Sequence, residues 1–350
     1  MDFSRILLNW YQDNHRDLPW RHTSDPYLIW LSEVILQQTR VEQGMPYWHK
    51  FMAAFPSVLD LANADEMEVL RLWQGLGYYS RARNLQAAAQ SIRDKYQGVF
   101  PKEYDQIRAL KGVGDYTAAA IGSIAFNLNH AVVDGNVYRF LSRLYGIDTA
   151  IDSSKGKKEF AFLANELLDK NQPGLFNQAI MEFGAMQCKP ANPVCNNCPF
   201  SDYCIALKNK SIQNFPYKSK KTKTRNRYFD FLIFTDEKNV LIERRSDKDI
   251  WQGLYQFPLI ESATLNKSDW NLIIPDLSNY LKIENAQLVK NSSVLKHVLS
   301  HQILYAKFWW IKTEDLLEVN INGLIKVPWQ MMDDFGMPQL IVKYLESEFN

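Results

Sequence analysis

Four of the 350 residues are cysteines, and all of them lie in one short stretch: Cys188, Cys195, Cys198 and Cys204, spaced C-x6-C-x2-C-x5-C. Thiols this crowded suit one shared centre, because a single metal site gathers four thiolates at a point. A disulfide framework belongs to small secreted domains that cannot build a core, and a chain of this length needs no staples. The opening MDFSRILLNWYQDNHRDLPW has neither a basic start nor a small-residue cleavage site. The expectation is an intracellular, cytoplasmic protein in a reducing compartment. An all-cysteine zinc site stays open, although such sites usually pair two short C-x2-4-C units. The six- and five-residue gaps suit a cubane iron–sulfur cluster better.

Two carboxylates could do acid–base chemistry of complementary kinds. Glu33 sits in YLIWLSEVIL, where it and Ser32 are the only polar side chains apart from the amphipathic Tyr27. A helix apolar on nearly all sides is buried. A carboxyl on it should have a raised pKa and stay protonated near neutrality, as a general acid must. Asp134, in VVDGNVYRFLSRL, precedes a helical run and reads as an N-cap. Local N–H groups and the helix dipole should lower its pKa and keep it ionised. An acid for a leaving base and an anion for a cationic sugar are what cleavage of an N-glycosidic bond requires. Each residue also has a plainer reading: a buried glutamate bonded to a neighbour, and a helix cap. Between them in sequence, LKGVGDYTA (110–118) places Gly112 and Gly114 ahead of a helix. Glycines can take backbone conformations closed to other residues, so such a turn can aim several N–H groups outward as a phosphate nest. An ordinary tight turn between helices is the alternative.

These groups need elements to hold them. The composition is 46% apolar and 23% charged, that of a globular chain, and no run of eighteen apolar residues predicts a membrane span. Two domains are expected from the length. Residues 1–207 read as helices, from RILLNWYQ through KEFAFLANELLDK. Residues 208–227 are polar and hold eight lysines or arginines with no acid, which predicts a basic interdomain linker able to touch a phosphate backbone. The net charge of +1 therefore leaves −7 for the remainder, so any grip on nucleic acid must be local. From 228 to 350 the period changes. FDFLIFT and NVLIER read as strands joined at Asp236–Asn239, HQILYAKFWWIK as a later strand, and DLSNYLK and MPQLIVKYLESEF as helices.

The cysteine loop, with the hairpin about 75 residues before it, resembles the endonuclease III and adenine glycosylase family of base-excision repair enzymes. LPW (18–20), WLSEVILQQT (30–39), GLGYYSRARNL (75–85), the hairpin, VDGNV (133–137) and FNQAIMEFGAMQC (176–188) follow that family's order, and the resemblance is to its MutY type of adenine DNA glycosylase. It implies an all-α helix–hairpin–helix glycosylase with an iron–sulfur cluster loop, followed by an α+β Nudix-like domain. Glu33 matches the acid that protonates the leaving adenine at its five-membered-ring nitrogen. Asp134 matches the carboxylate that stabilises the oxocarbenium sugar, with Asn136 its polar neighbour. Gln38 and Tyr78 match residues that wedge into the duplex as the adenine is flipped out; core packing is the plainer reading of Tyr78 and Tyr79, and one of the two is expected to do only that. Bifunctional relatives carry a lysine nucleophile two residues after the second hairpin glycine; here that residue is Tyr116, which implies a monofunctional enzyme that uses water.

IWQGLYQFP (250–258) resembles the early strand region of Nudix domains, but ESATLNKSDWNLIIPDLSNYLK does not supply the carboxylate helix of a Nudix hydrolase. The implied task is binding 8-oxoguanine opposite the adenine. Ser300 and His301 match the recognition loop, with Leu299 where that loop usually has a stackable phenylalanine. The resemblance further implies a 4Fe-4S cluster on the four cysteines, in a structural and DNA-docking role. Lys189, Asn192, Asn196 and Asn197 stand within reach of phosphate there. It implies a monomer working on duplex DNA with 8-oxoguanine:adenine or guanine:adenine mispairs, away from membranes. The alternative function is another glycosylase or lyase of the superfamily, for pyrimidine lesions or mismatches.

Overall fold

The computed structural model describes residues 1–219, 224–264, 287–313, 316 and 323–349. The expected helix DLSNYLK lies outside the described residues. In chain order the helices are α1 (Phe3–Asn14), α2 (Pro26–Leu36), α3 (Val41–Ala54), α4 (Val58–Asn63), α5 (Glu66–Leu72), α6 (Ser80–Tyr96), α7 (Tyr104–Arg108), α8 (Asp115–Phe126), α9 (Gly135–Tyr145), α10 (Ser154–Leu167), α11 (Pro173–Met186), α12 (Ile205–Lys208) and α13 (Gln339–Phe349). None is long and apolar enough to cross a membrane.

The chain divides into two units, Met1–Asn63 with Asn84–Lys221, and Ala64–Arg83 with Thr222–Asn350. In the first unit α11 packs against α1, α8 and α9, and α2 packs against α3 and α8. Local chemistry starts these helices. Asp25 caps α2, accepting from the Tyr27 N–H at 2.8 Å, and Pro26 takes the first helical position. Asp134 caps α9, and Gly146 ends that helix at a φ of 66°. The core is aromatic: Phe3, Phe140, Phe176, Phe183 and Phe200 are all buried. Phe200 belongs to the cysteine loop, and its ring lies 5.2 Å from Phe183 and 5.3 Å from Phe140, so the loop is pinned into the core.

In the second unit a mixed sheet contains β1 (Arg225–Thr235), β2 (Asn239–Arg244), β3 (Tyr255–Gln256), β4 (Leu259–Ser262), β5 (Gln287–Asn291), β6 (Leu295–Val298), β7 (Gln302–Lys312) and β8 (Leu324–Pro328). β1 runs parallel to β7 along its whole length and antiparallel to β2 and β4. The β1–β2 turn is set by Asp236, whose carboxylate accepts from the N–H groups of Lys238 at 3.1 Å and Asn239 at 2.6 Å. Helix α13 brings Tyr344 face to face with Phe308, ring centroids 3.8 Å apart.

The basic stretch expected as a linker is not uniform. Lys208 closes α12, a 3-10 turn covers Ile212–Asn214, and Arg225–Arg227 already belong to β1. Arg227 is buried, with its guanidinium on Glu261 at 2.6 Å and Asp249 at 2.7 Å. Its charge is neutralised inside the second unit and is not presented to solvent.

Candidate active site

In the first unit a cavity of about 850 Å³ is lined by Glu33, Gln38, Gly112, Gly114, Tyr116, Asp134 and Asn136, together with residues discussed below. Seven positions singled out in the sequence, drawn from several elements, thus meet around one space.

Glu33 projects from α2, whose Trp30, Leu31 and Ile35 are fully buried. Burial pushes its carboxyl up to about 7, helped by the nearby Asp134, against the Tyr116 hydrogen bond and the Arg21 charge that pull it down. The Tyr116 hydroxyl donates to Glu33 Oε2 at 2.6 Å. Burial and the neighbouring Glu33 also push the Tyr116 phenol well above its ordinary value, so it remains a donor near neutrality.

Asp134 caps α9 with Oδ1, accepting the N–H groups of Asn136 at 2.9 Å and Val137 at 2.8 Å, while Oδ2 accepts Asn136 Nδ2 at 2.7 Å. The expected lowering of its pKa is not found. Burial raises it, and the bonds from Val137 and Asn136 and the charge of Arg139 offset this only in part, so the carboxyl lies above its usual range. The N-cap geometry was legible in the sequence; the depth at which it is set was not.

Gly112 does take the backbone form reserved for glycine, with a φ of 78°, and a Cβ there would stand 2.7 Å from that of Asn84. Gly114 does not: it caps α8 in an extended conformation, φ −101°, and a Cβ would meet nothing within 4 Å. The second glycine keeps the cavity wall low without relieving backbone strain. Gln38 is exposed and left-handed, with a φ of 56°.

Glu182, Arg16, Arg21 and Arg139 also line the cavity and were not singled out in the sequence. Glu182, only 1% exposed, receives the Arg16 backbone N–H and guanidinium at 2.7 to 2.9 Å and Arg21 Nη2 at 2.7 Å. Burial would raise its pKa, but these two arginines outweigh that and hold it at about 2. A signal existed: Glu182 is a lone carboxylate in a mostly apolar helix, the same context that drew attention to Glu33. Arg139 is buried behind Asn136, donating to its side-chain oxygen at 2.9 Å, to Gly184 O at 2.6 Å and to Cys188 O at 2.8 Å.

The four cysteine side chains line a second, small cavity of about 30 Å³ and form no disulfide. Among the described residues no three His, Cys, Asp or Glu side chains are close enough to grip one metal ion. In the second unit Tyr78, Ser300 and His301 line a cavity of about 450 Å³ with Trp251, Asp249 and Leu299. Ser300 and His301 are exposed at the tip of the β6–β7 hairpin, which the Leu299 N–H closes onto Gln302 O at 2.8 Å. The Tyr78 and Ser300 hydroxyls are hydrogen-bonded to each other. Tyr79 is buried and Tyr78 is 39% exposed.

A family model described as HhH-GPD superfamily base excision DNA repair protein matches residues 31–168, and a NUDIX domain model matches residues 231–347. The chain is 33% identical over 348 residues to the adenine DNA glycosylase of Buchnera aphidicola subsp. Acyrthosiphon pisum (strain APS), covering 99% of this chain and 97% of that protein. Among solved structures, a thermostable thymine-DNA glycosylase superposes with a TM-score of 0.55 at 30% identity, over 59% of this chain and 95% of its own. The endonuclease III of a non-covalent DNA complex gives 0.51 at 23% identity, over 59% of this chain and 94% of its own, a likeness of fold. A helical glycosylase fold and a Nudix-like sheet domain thus occur in one chain, which aligns with the Buchnera protein over nearly the full length of both, and the chain belongs to the adenine DNA glycosylase family.

Proposed function

We propose that the protein is a monofunctional DNA glycosylase that hydrolyses the N-glycosidic bond of adenine opposite 8-oxoguanine, or guanine, in duplex DNA. The observation that carries this reading is a carboxyl poised at about 7, Glu33, sharing a cavity with a second carboxyl fixed by three donors, Asp134. Glu33 in its protonated form donates to the five-membered-ring nitrogen of the flipped adenine, so that the base leaves neutral. The sugar then gains positive charge. Asp134 lies in the same cavity, where its carboxyl group is set to stabilise the forming cation. Its three donors hold the oxygens in place for that moment. Water adds to the sugar, activated near Glu33 or Asp134. Tyr116 occupies the place of the lyase lysine and bonds Glu33, so no amine is offered there for a Schiff base.

Gln38 and Tyr78 fill the gap left by the flipped base, offsetting part of an unstacking cost of a few kcal/mol. The hairpin tip with Ser300 and His301 inspects the opposite 8-oxoguanine, and Gly112 and Gly114 bring backbone N–H groups to a phosphate. The enzyme acts as a monomer in the cytoplasm, on mispaired duplex DNA.

The cofactor we assign is a 4Fe-4S cluster on Cys188, Cys195, Cys198 and Cys204. The residues fit it: four unpaired thiols line one small cavity, and a cubane takes one thiolate on each of its four irons. Bound there, the cluster would cross-link the loop, and the redox-neutral hydrolysis runs on the carboxylates.

A pyrimidine-directed activity is the second reading, favoured by the likeness to a thymine-DNA glycosylase. Incubation with end-labelled duplexes carrying each mispair, developed with and without alkali, tests both. The expected result is cleavage at adenine opposite 8-oxoguanine only after alkali. Cleavage at thymine, or strand breaks without alkali, would overturn the proposal.

A further inference from the structure

We infer that Arg143 is the counter-ion of the cysteine centre: its guanidinium stands against the Cys188 sulfur and offsets the negative charge of a sulfur-ligated metal group. The inference rests on the cluster assignment above.

The starting point is a buried cation with an unusual set of partners. Arg143 lies on α9 and is 3% exposed. Its Nε donates to Ile212 O at 3.2 Å, Nη1 to Lys189 O at 2.7 Å and Nη2 to Pro190 O at 3.0 Å. The remaining contact runs from Nη1 to Cys188 Sγ at 3.5 Å. A guanidinium keeps its charge at any ordinary pH, and a charge taken out of water must be matched or its burial is costly. Arg139, also buried, has carbonyl and amide oxygens as its partners, but for three other arginines the match is a carboxylate. Arg16 and Arg21 share Glu182, while Arg227 has Asp249 and Glu261. Among the described residues Arg143 has no carboxylate within ion-pair distance. Its carbonyl partners are dipoles that never ionise. The Cys188 sulfur is the one partner able to carry a full negative charge.

The surroundings strengthen the effect. Phe140, Phe183, Phe200, Leu144 and Leu207 wall the same small cavity, and an apolar wall weakens solvent screening of the pair. Cys188 is held from its other end as well, because Arg139 bonds its carbonyl. A sulfur clamped at backbone and side chain, beside a permanent cation, is preorganised for a metal. A cationic neighbour stabilises whichever state of a metal–sulfur group holds more electrons, and so it raises the reduction potential.

The plainer alternative is that Arg143 only ties the loop down through its carbonyls. Glutamine and lysine at this position separate the two, because both lose the planar fork and only lysine keeps the charge. The experiment takes the full-length protein as purified. It measures iron and sulfide per chain, the visible absorbance, its bleaching rate in a chelator, and the midpoint potential.

The expected result for Arg143→Gln is bleaching about ten- to a hundredfold faster than wild type, the range seen when outer-shell ligand partners are lost, with a midpoint displaced to more negative potential. Arg143→Lys should keep the wild-type midpoint and bleach within about twofold of wild type, as a retained charge predicts. Equal lability of the two variants at an unchanged midpoint would overturn the counter-ion role and leave a clamp. If Arg143→Gln does not fold, Arg143→Lys decides alone: slow bleaching supports the inference and fast bleaching overturns it. Wild-type protein that holds zinc without iron or sulfide would remove the cluster assignment itself. The inference is then judged on zinc loss from Arg143→Gln, where an unchanged rate overturns it.

Discussion

The proton on Glu33 is governed by neighbours that disagree. Burial and Asp134 hold it on, and the Tyr116 hydroxyl and Arg21 pull it off. The resulting value of about 7 makes a donor near neutrality. Single-turnover base release should therefore fall as pH rises through about 7. Glu33→Gln should lower it by roughly a thousandfold, within the range general acids contribute, while a gel-shift assay shows mispair binding retained. Unchanged turnover would remove Glu33 from the acid role. Stability carries the same signature. A carboxyl whose folded pKa is raised stabilises the fold fully below its unfolded value and loses that contribution as pH rises through the folded one. Glu33→Gln, which cannot ionise, should gain in unfolding free energy over wild type more at pH 8 than at pH 5, by at most about 3 kcal/mol at the alkaline end, as denaturant unfolding at the two pH values would show. Tyr116→Phe tests the other side of the balance. It removes the bond that lowers Glu33, so the alkaline limb of the rate profile should move to higher pH; a limb that stays put would mean the phenol does not set the proton.

At the scale of elements, much of the site was legible because its signals are local. Asp25, Pro26 and a nearly all-apolar run specify α2 and bury Glu33 with no outside information. GVG followed by a helix-forming run specifies the turn at Gly112. What escaped was pairing between distant segments. Glu182 looks like a lone acid until Arg16 and Arg21, more than 150 residues earlier, are folded onto it. Asp134 was read from its cap, and the packing of α11 that buries it came only with the fold: Gly184 approaches so closely that a Cβ would lie 2.7 Å from the Asn136 carbonyl oxygen. At the β6–β7 hairpin only the second strand was read from its pattern, and Ser300 and His301 were picked out by resemblance to a recognition loop. Its tip gives a prediction at this scale: Ser300→Ala combined with His301→Ala should reduce the preference for 8-oxoguanine over guanine in paired single-turnover assays while leaving the rate on guanine:adenine within about twofold, as for surface changes distant from the chemistry. An unaltered preference would move lesion reading elsewhere.

Across the whole molecule, the change of period near residue 228 marked the start of the sheet to within a few residues, because strands and helices differ in how often an apolar side chain recurs. The sequence carries no comparable mark for residues 64–83, which look like one more helical stretch. Their grouping with 222–350 depends on contacts made far along the chain. Arg244 pairs with Glu66 at 2.6 Å, the Met337 N–H donates to the Gln74 side chain at 3.2 Å, and Arg83 bonds the Gln252 carbonyl.

That membership bears on how the gene could be shortened. A product ending at residue 221 would retain both carboxylates and all four cysteines, yet it would strand the helix Glu66–Leu72 and the turn after it without their sheet. Leu70 and Leu76, buried in the intact chain, would face solvent, and Tyr78 would lose Ser300. Such a fragment should be more prone to aggregate and to proteolytic nicking between 64 and 83 than the parent, as limited digestion with mass spectrometry would report. A fragment that resists digestion there would mean the segment folds without the sheet.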